Sequence, residues 1–336
     1  PGCIAGGAAW EWGDWQMDSS LVYGMNEMQF TIENTLNRSL GPTSPTEFDS
    51  GGFDYDQLVF NFSGVRQVQV GNLASPLNIA VGLEARRESY SITAGEPDSY
   101  RNGGVLLPNG QPTASGAQVF PGFRPSNEDD ESRTAIGAYI DLEANLTERF
   151  LGSVALRVED YDDFGSNVSG KLAGRFDFTD SFAIRASLQN GFRAPSLPQQ
   201  FFATTSTNFI NGVPFDITTF PVSDPVAIAL GAQPLDAEES LNYSLGFVMR
   251  FDPVTITIDA YRIDIDDRIV LSENLTDPPV RTFLTNQGFV GVGGGRFFLN
   301  GVDTETEGLD IVVNWPWEAG AAGTFDFTLV ANYNST

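Results

Sequence analysis

The sequence contains no histidine and a single cysteine, Cys3. A disulfide within these 336 residues is therefore impossible, and imidazole catalysis cannot be assembled from them. Most zinc and iron sites also depend on histidine or cysteine ligands, so no such metal site is predicted. A Gly-x-Ser-x-Gly nucleophile motif and a phosphate-binding loop are also missing. We therefore expect no catalytic residue and no bound cofactor.

Basic residues are scarce as well. There are 18 Lys and Arg against 44 Asp and Glu, a formal net charge of −26. Nucleic acid as a partner is excluded on this balance, because its binding needs a cationic surface. The acidic groups at residues 128–131 and 264–267 could attract Ca²⁺, but neither has EF-hand spacing. We expect solvated loop charge at both.

Long apolar runs are missing too. No stretch approaches the roughly 18 apolar residues of a membrane-spanning helix. Instead, apolar and polar residues alternate, as in Ile136, Ala138, Ile140 and Leu142. Side chains of a strand point alternately to opposite faces, so each such segment has one apolar and one polar face. The same pattern recurs at residues 154–158, 172–178, 182–188, 241–251 and 254–260.

The connections between these segments differ in length. Short ones lie at residues 146–149, 179–181, 252–253 and 320–323, whereas long Gly- and Pro-rich ones span residues 91–132, 197–238 and 272–302. Residues 160–167 form a short exception among the long ones. Short turns on one side and long loops on the other are typical of outer-membrane barrels, in which strands of about 9–11 residues cross the bilayer. The sequence predicts a transmembrane antiparallel up-and-down β-barrel.

Aromatic residues accumulate beside the short turns, where they predict a girdle at one membrane interface. They are Phe150, Phe176, Phe178, Phe182, Phe251, Trp315, Trp317, Phe325 and Phe327. We predict about 12 strands, with weaker patterns at residues 14–24 and 27–36. Both termini are interpreted as cut, and because an open sheet edge is forbidden in lipid, we expect further strands outside this sequence.

Several stretches resemble the TonB-dependent receptor family of outer-membrane transporters. The strongest is Gly191-Phe192-Arg193-Ala194-Pro195-Ser196, and residues 235–243, 260–269 and 300–310 follow in the family's order. Residues 81–90 and 157–165 are also similar to the family. The resemblance implies that residues 1–336 are part of a barrel of about 22 strands.

The resemblance also implies function. Members import scarce nutrients such as ferric siderophores, cobalamin or oligosaccharides across the outer membrane of Gram-negative bacteria. A plug domain fills the barrel, and a segment before the plug contacts TonB. Neither belongs to this stretch of sequence, so the plug, TonB, outer-membrane lipid and a small-molecule ligand are expected partners.

The alternation places a set of cations in the lumen: Arg157, Lys171, Arg175, Arg185 and Arg250. A lipid-facing Arg or Lys near the midplane costs about 2–4 kcal/mol, whereas a lumen charge is cheap and can pair. We expect most of them to pair with lumen carboxylates such as Asp141, Glu143, Asp177 and Asp259. Arg193, two residues before Pro195, either forms a structural corner, which we favour, or points towards plug or substrate.

Two alternatives stay open. A passive porin would use the same alternation, with selectivity set by lumen charge. A soluble secreted β-sandwich binding module also fits the alternation. It fits the strand length, the aromatic clustering and the loop asymmetry less well.

Overall fold

The computed structural model describes residues 1–210, 213–289 and 292–336 of the chain, and it consists mainly of β-strands. The strands are β1 (Gly2–Trp12), β2 (Trp15–Glu33), β3 (Glu47–Val68), β4 (Leu77–Thr93), β5 (Asp129–Thr147), β6 (Phe150–Tyr161), β7 (Gly165–Thr179), β8 (Phe182–Arg193), β9 (Thr204–Ile210), β10 (Val213–Thr219), β11 (Glu238–Phe251), β12 (Val254–Leu271), β13 (Gly295–Arg296), β14 (Phe298–Glu318) and β15 (Thr324–Ser335).

Twelve of these strands form one sheet. Its order is β1-β2-β3-β4-β5-β6-β7-β8-β11-β12-β14-β15, so nearly every strand pairs with its neighbour in the sequence. All of these pairings are antiparallel, as up-and-down topology requires. The predicted fold class and strand number are therefore confirmed. Within the described residues β1 and β15 do not pair with each other, and the barrel is open between them.

The N-terminal part differs from the sequence prediction. The weak strands expected at residues 14–24 and 27–36 are one continuous strand, β2, with 19 residues. A register shift between Gln29 and Thr31 interrupts its pairing with β3 and obscures the alternation there. The preceding strand β1 went unpredicted, because small residues such as Gly6, Gly7 and Ala8 give no apolar contrast.

The long connections carry structure of their own. They contain the short helices α1 (Pro97–Tyr100), α2 (Leu197–Phe201), α3 (Pro225–Ala229) and α4 (Pro278–Asn286). In a small separate sheet, β10 pairs with β9 and β13. Strands also extend further than expected, so the first long loop covers residues 94–128 only. Among the described residues, no helix is long and apolar enough to cross a membrane.

The strands are longer than a membrane crossing requires, and this distinguishes the two ends of the sheet. The longest strands, β3 and β14, have 22 and 21 residues. A tilted strand needs only about 9–11 residues to cross the hydrocarbon core. The short turns fix one end, so the surplus length extends beyond the membrane on the side of the long loops. There the projecting strand ends form a wall against which the loops pack.

An aromatic row on the apolar face marks the end with short turns. Its ring centroids lie 6.4 Å apart for Phe150 and Phe176, 4.7 Å for Phe176 and Phe178, and 5.6 Å for Phe178 and Phe182. Phe182 also stacks on Phe247, which was missing from the prediction. Trp315 packs on Phe327 and Trp317 on Phe325 across the last pair of strands. The predicted clustering of aromatics at this end is confirmed.

We expect Leu172→Arg to destabilise the membrane-inserted barrel by about 2–4 kcal/mol, because Leu172 lies on the exposed apolar face between Val154 and Leu188. Urea unfolding of the full-length protein from lipid vesicles measures this cost. Ala173→Arg is the matched control: Ala173 lies on the opposite face beside Ser153 and Ser187, and should cost much less. Equal losses would contradict the assignment of faces.

Candidate functional site on the polar face of the sheet

Register assigns every strand residue to one of two faces. Glu84 pairs with Gly137, and Gly137 with Glu159, so these residues share a face. The neighbouring row Leu83, Ala138 and Val158 lies on the other face, where Leu83 and Val158 are exposed. In a closed barrel the apolar face meets lipid and the polar face lines the lumen. The polar face is therefore the candidate site.

The predicted lumen cations all lie on this polar face. Arg175 is directly opposite Arg185, Lys171 is opposite Gln189, and Arg157 is opposite Ser169. Arg250 follows two residues after Val248, which pairs with Ala183. The alternation thus gave the correct phase for five cations on four strands.

Most of these cations pair with carboxylates on the same face. The Arg157 Nη2 atom lies 2.8 Å from Glu159 Oε1 and 3.3 Å from Glu84 Oε1. Arg175 Nη2 lies 2.8 Å from Asp177 Oδ1. Lys171 has no ion pair among the described residues. It lines an open cavity of about 310 Å³ together with Tyr139 and Asp141.

The best-defined pair bridges three strands. Arg185 on β8 donates from Nε and Nη2 to both carboxylate oxygens of Asp259 on β12, at 2.9 and 2.6 Å. Gly246 on β11 lies between them in the register. A Cβ at Gly246 would lie 2.1 Å from Asp259 Oδ1 and 2.7 Å from Arg185 Nε. The absence of a side chain at residue 246 is what lets the two charges meet across the intervening strand.

A second network is buried on the same face, closer to the long loops. Arg133 on β5 is only 5% exposed, and its Nη2 lies 2.6 Å from Glu88 Oε2 on β4. Tyr55 Oη donates to the other oxygen of Glu88 at 2.5 Å. The Arg133 guanidinium also lies over the ring of Tyr161, 5.3 Å from its centroid. These contacts link strands β3 to β6 at the end of the polar face nearest the long loops, which we call the mouth.

The same arginine holds the Gly-Phe-Arg-Ala-Pro-Ser stretch. Arg133 Nη1 donates to the carbonyl oxygen of Pro195 at 2.6 Å. Two residues later Leu197 is buried beside Tyr90, Ile92 and Phe123 in the aromatic cluster of the mouth. The chain therefore leaves β8 at a fixed angle and passes over the end of the sheet.

Arg193 itself pairs with Glu238, the first residue of β11 and its register partner. Glu238 also accepts a hydrogen bond from the backbone N–H of Ile269 at 2.8 Å. This pair joins both ends of the long loop 194–237, which favours the structural-corner interpretation. Gly191 shares the polar face with Arg193 in the register. Phe192 and Ala194 line a cavity at this end of the sheet together with Glu88 and Arg133.

Arg133, Glu88 and Tyr55 were not predicted from the sequence. Glu88 lies in the family-like stretch 81–90, where alternation would have placed Glu84, Arg86 and Glu88 on one face. Arg133 was overlooked because the loop was expected to continue to residue 132 and the alternation was recognised only from Ile136. No group of three or more possible metal ligands occurs among residues 1–210, 213–289 and 292–336, and the two acidic runs form none.

The polar face with its ion pairs, the exposed apolar face and the one-sided loops define an outer-membrane barrel. Comparison with known proteins specifies it further. Residues 5–336 match the family described as TonB dependent receptor-like, beta-barrel. The chain belongs to this family, whose members are outer-membrane transport receptors and not enzymes.

Among curated relatives, the ferric enterobactin receptor PirA of Pseudomonas aeruginosa is 27% identical over 213 residues, covering 60% of this chain and 26% of the relative. The vitamin B12 transporter BtuB of Vibrio vulnificus is 24% identical over 252 residues, covering 68% and 36%. The crystal structure of the siderophore receptor PirA from Acinetobacter baumannii superposes with a TM-score of 0.62 at 16% identity, over 98% of this chain and 44% of that one. The chain thus spans about a quarter to a third of the length of these curated relatives.

We expect Gly246→Ala to separate Arg185 from Asp259 and to destabilise the barrel by about 1–3 kcal/mol, as overpacking does elsewhere. Unfolding of the full-length receptor from vesicles measures this loss. Gly24→Ala on β2 is the control, because a Cβ there meets nothing within 4 Å. The assignment is wrong if both variants behave alike.

Arg133→Ala should destabilise the mouth by about 3–5 kcal/mol, because it removes the hydrogen-bonded charge partner of the buried Glu88 carboxylate and leaves only Arg86, at 3.9 Å. Limited proteolysis of loop 194–237 should accelerate, since Pro195 loses the hydrogen bond that anchors the loop. The double variant Arg133→Ala, Glu88→Gln should recover part of the stability. Unchanged proteolysis in Arg133→Ala would show that the network does not hold the loop.

Proposed function

We propose that this chain is the barrel part of an active-transport receptor that imports a scarce nutrient across the outer membrane. The nutrient belongs to the group of ferric siderophores, cobalamin and oligosaccharides, and energy reaches the receptor through TonB. The observation that carries the proposal is the polar face. Several of its charges form ion pairs along the strands, and the face leads to a mouth bordered by structured loops.

The charge pairs favour a filled lumen over an open pore. Arg185 with Asp259 and Arg157 with Glu84 and Glu159 neutralise each other on the wall. Such pairs suit contact with a folded plug, because an unpaired charge buried at such a contact is costly. The plug and the TonB-contacting segment would come from sequence outside residues 1–336.

The names of the relatives support the substrate group. One curated relative is a ferric enterobactin receptor and another a vitamin B12 transporter. Both are named for bulky, scarce nutrients. Since fold alone does not imply function, the substrate group rests on these names together with family membership.

The test is uptake by cells that carry the full-length receptor. Radiolabelled ferric siderophores, cobalamin and an oligosaccharide are offered to the wild type, a receptor deletion and a strain without TonB. We expect accumulation of one of these compounds in the wild type and its loss in both mutants.

Reconstitution in planar bilayers provides the counter-test. A plugged receptor should be electrically silent, whereas a passive porin conducts ions steadily without an energy source. Steady conductance, or uptake that persists without TonB, would overturn the proposal in favour of the passive channel.

A further inference from the structure

A cavity of about 430 Å³ lies between the loops at the outer end of the sheet. Residues 124–129 form one side of it, and the β9/β10 hairpin with the following residues up to Asp224 forms another. Its volume falls within the roughly 300–1,000 Å³ typical of small-molecule sites. None of the cations predicted for the lumen lines it.

The lining of this loop cavity is strongly acidic. Glu128, Asp129, Asp216 and Asp224 line it, and Arg124 is the one cation among its lining residues. The guanidinium of Arg124 is already paired, because its Nη2 lies 2.7 Å from Asp216 Oδ2. Three carboxylates therefore face the cavity without a cation of their own among the lining residues.

Backbone dipoles, and not cations, hold these three carboxylates. Glu128 accepts from the N–H of Ala94 at 3.2 Å, and Asp224 accepts from the N–H of Val226 at 2.7 Å. Asp129 accepts from the N–H of Asp130 at 3.0 Å. These hydrogen bonds fix the positions of the carboxylates, but they leave the negative charge in place.

The carboxylates at the start of β5 also act on one another. Burial and then the charges of Asp129 and Asp130 raise the pKa of Glu131 on the projecting end of β5. Clefts lined by charge of one sign concentrate ligands of the opposite sign by roughly ten- to a thousandfold. A polyanion would meet repulsion, and it would find no unpaired arginine among the lining residues.

We propose that the loop cavity admits ligands of positive or zero net charge and excludes polyanions. This inference rests on the proposed function, and it assigns the imported substrate to that charge class. A ferric tris-hydroxamate, in which three monoanionic ligands balance the charge of Fe³⁺, fits the class, whereas a ferric tris-catecholate with its triple negative charge does not. Phe220, Thr205 and Thr218 supply an apolar wall and hydroxyl groups for contacts that need no charge.

The charge of the cavity is tested with thiol reagents on the full-length receptor. Ser126→Cys places a thiol in the lining, in a background where the exposed Cys3 is replaced by serine. Cationic and anionic methanethiosulfonates are compared there and at Asn109→Cys, an exposed loop position outside the cavity. We expect the cation-to-anion rate ratio at residue 126 to exceed that at residue 109 by about tenfold.

Charge removal provides the matched variants. Glu128→Gln with Asp129→Asn keeps the hydrogen-bond acceptors and should bring the ratio at residue 126 close to that at residue 109. Asp180→Asn with Asp252→Asn, in two short turns at the opposite end, should leave it unchanged. A ratio at residue 126 that is equal to or below that at residue 109 in the starting protein would overturn the inference.

Binding of ferric complexes tests the substrate class directly. Titration with a cationic and a neutral ferric hydroxamate and a ferric tris-catecholate should show the tris-catecholate weakest, by about tenfold or more. Tighter binding of the tris-catecholate would overturn the charge class while leaving energised import intact. Uptake that does not require TonB would overturn the proposed function. It would leave the cation-to-anion rate ratio at residue 126 unaffected, so the two failures are distinguishable.

Discussion

Every backbone N–H and C=O group inside a bilayer must find its partner within the protein, because hydrocarbon offers none. This constraint accounts for the long antiparallel ladders, in which each strand of the twelve-stranded sheet pairs along most of its length. With the backbone satisfied, the side chains need only alternate between lipid and lumen. Leu83 and Val158 face outward on this account, and Glu84 and Glu159 face inward.

The lumen side adds a second feature, since three of its five predicted cations pair with carboxylates there. Arg185 reaches Asp259 across a strand that carries glycine at the crossing point, residue 246. At the mouth, Arg133 joins Glu88 to the carbonyl of Pro195, so one buried guanidinium fixes both the wall and the start of a loop. The stretch from Gly191 to Ser196, which first indicated the family, is thereby given a structural role. It turns the chain out of β8 at an angle that the wall maintains.

Much of this arrangement could be predicted from the sequence, and the reasons differ by region. Alternation at β5 to β8 and at β11 and β12 fixed both the strands and the phase of Arg157, Lys171, Arg175 and Arg185, because register follows from a period of two. It failed at β1, where small residues give no contrast, and at β2, where a register shift breaks the pattern. The mouth network was out of reach, since Tyr55, Glu88 and Arg133 are distant in sequence and meet only through the pairing of β3, β4 and β5.

The central claim is that the apolar face of this sheet meets lipid and the polar face lines a lumen. Spin labels placed singly along β6, from Val154 to Val158, test it in the reconstituted full-length receptor. Collision with oxygen, which is concentrated in hydrocarbon, should be high at residues 154, 156 and 158 and low at residues 155 and 157. Uniform values, or the opposite phase, would contradict the account.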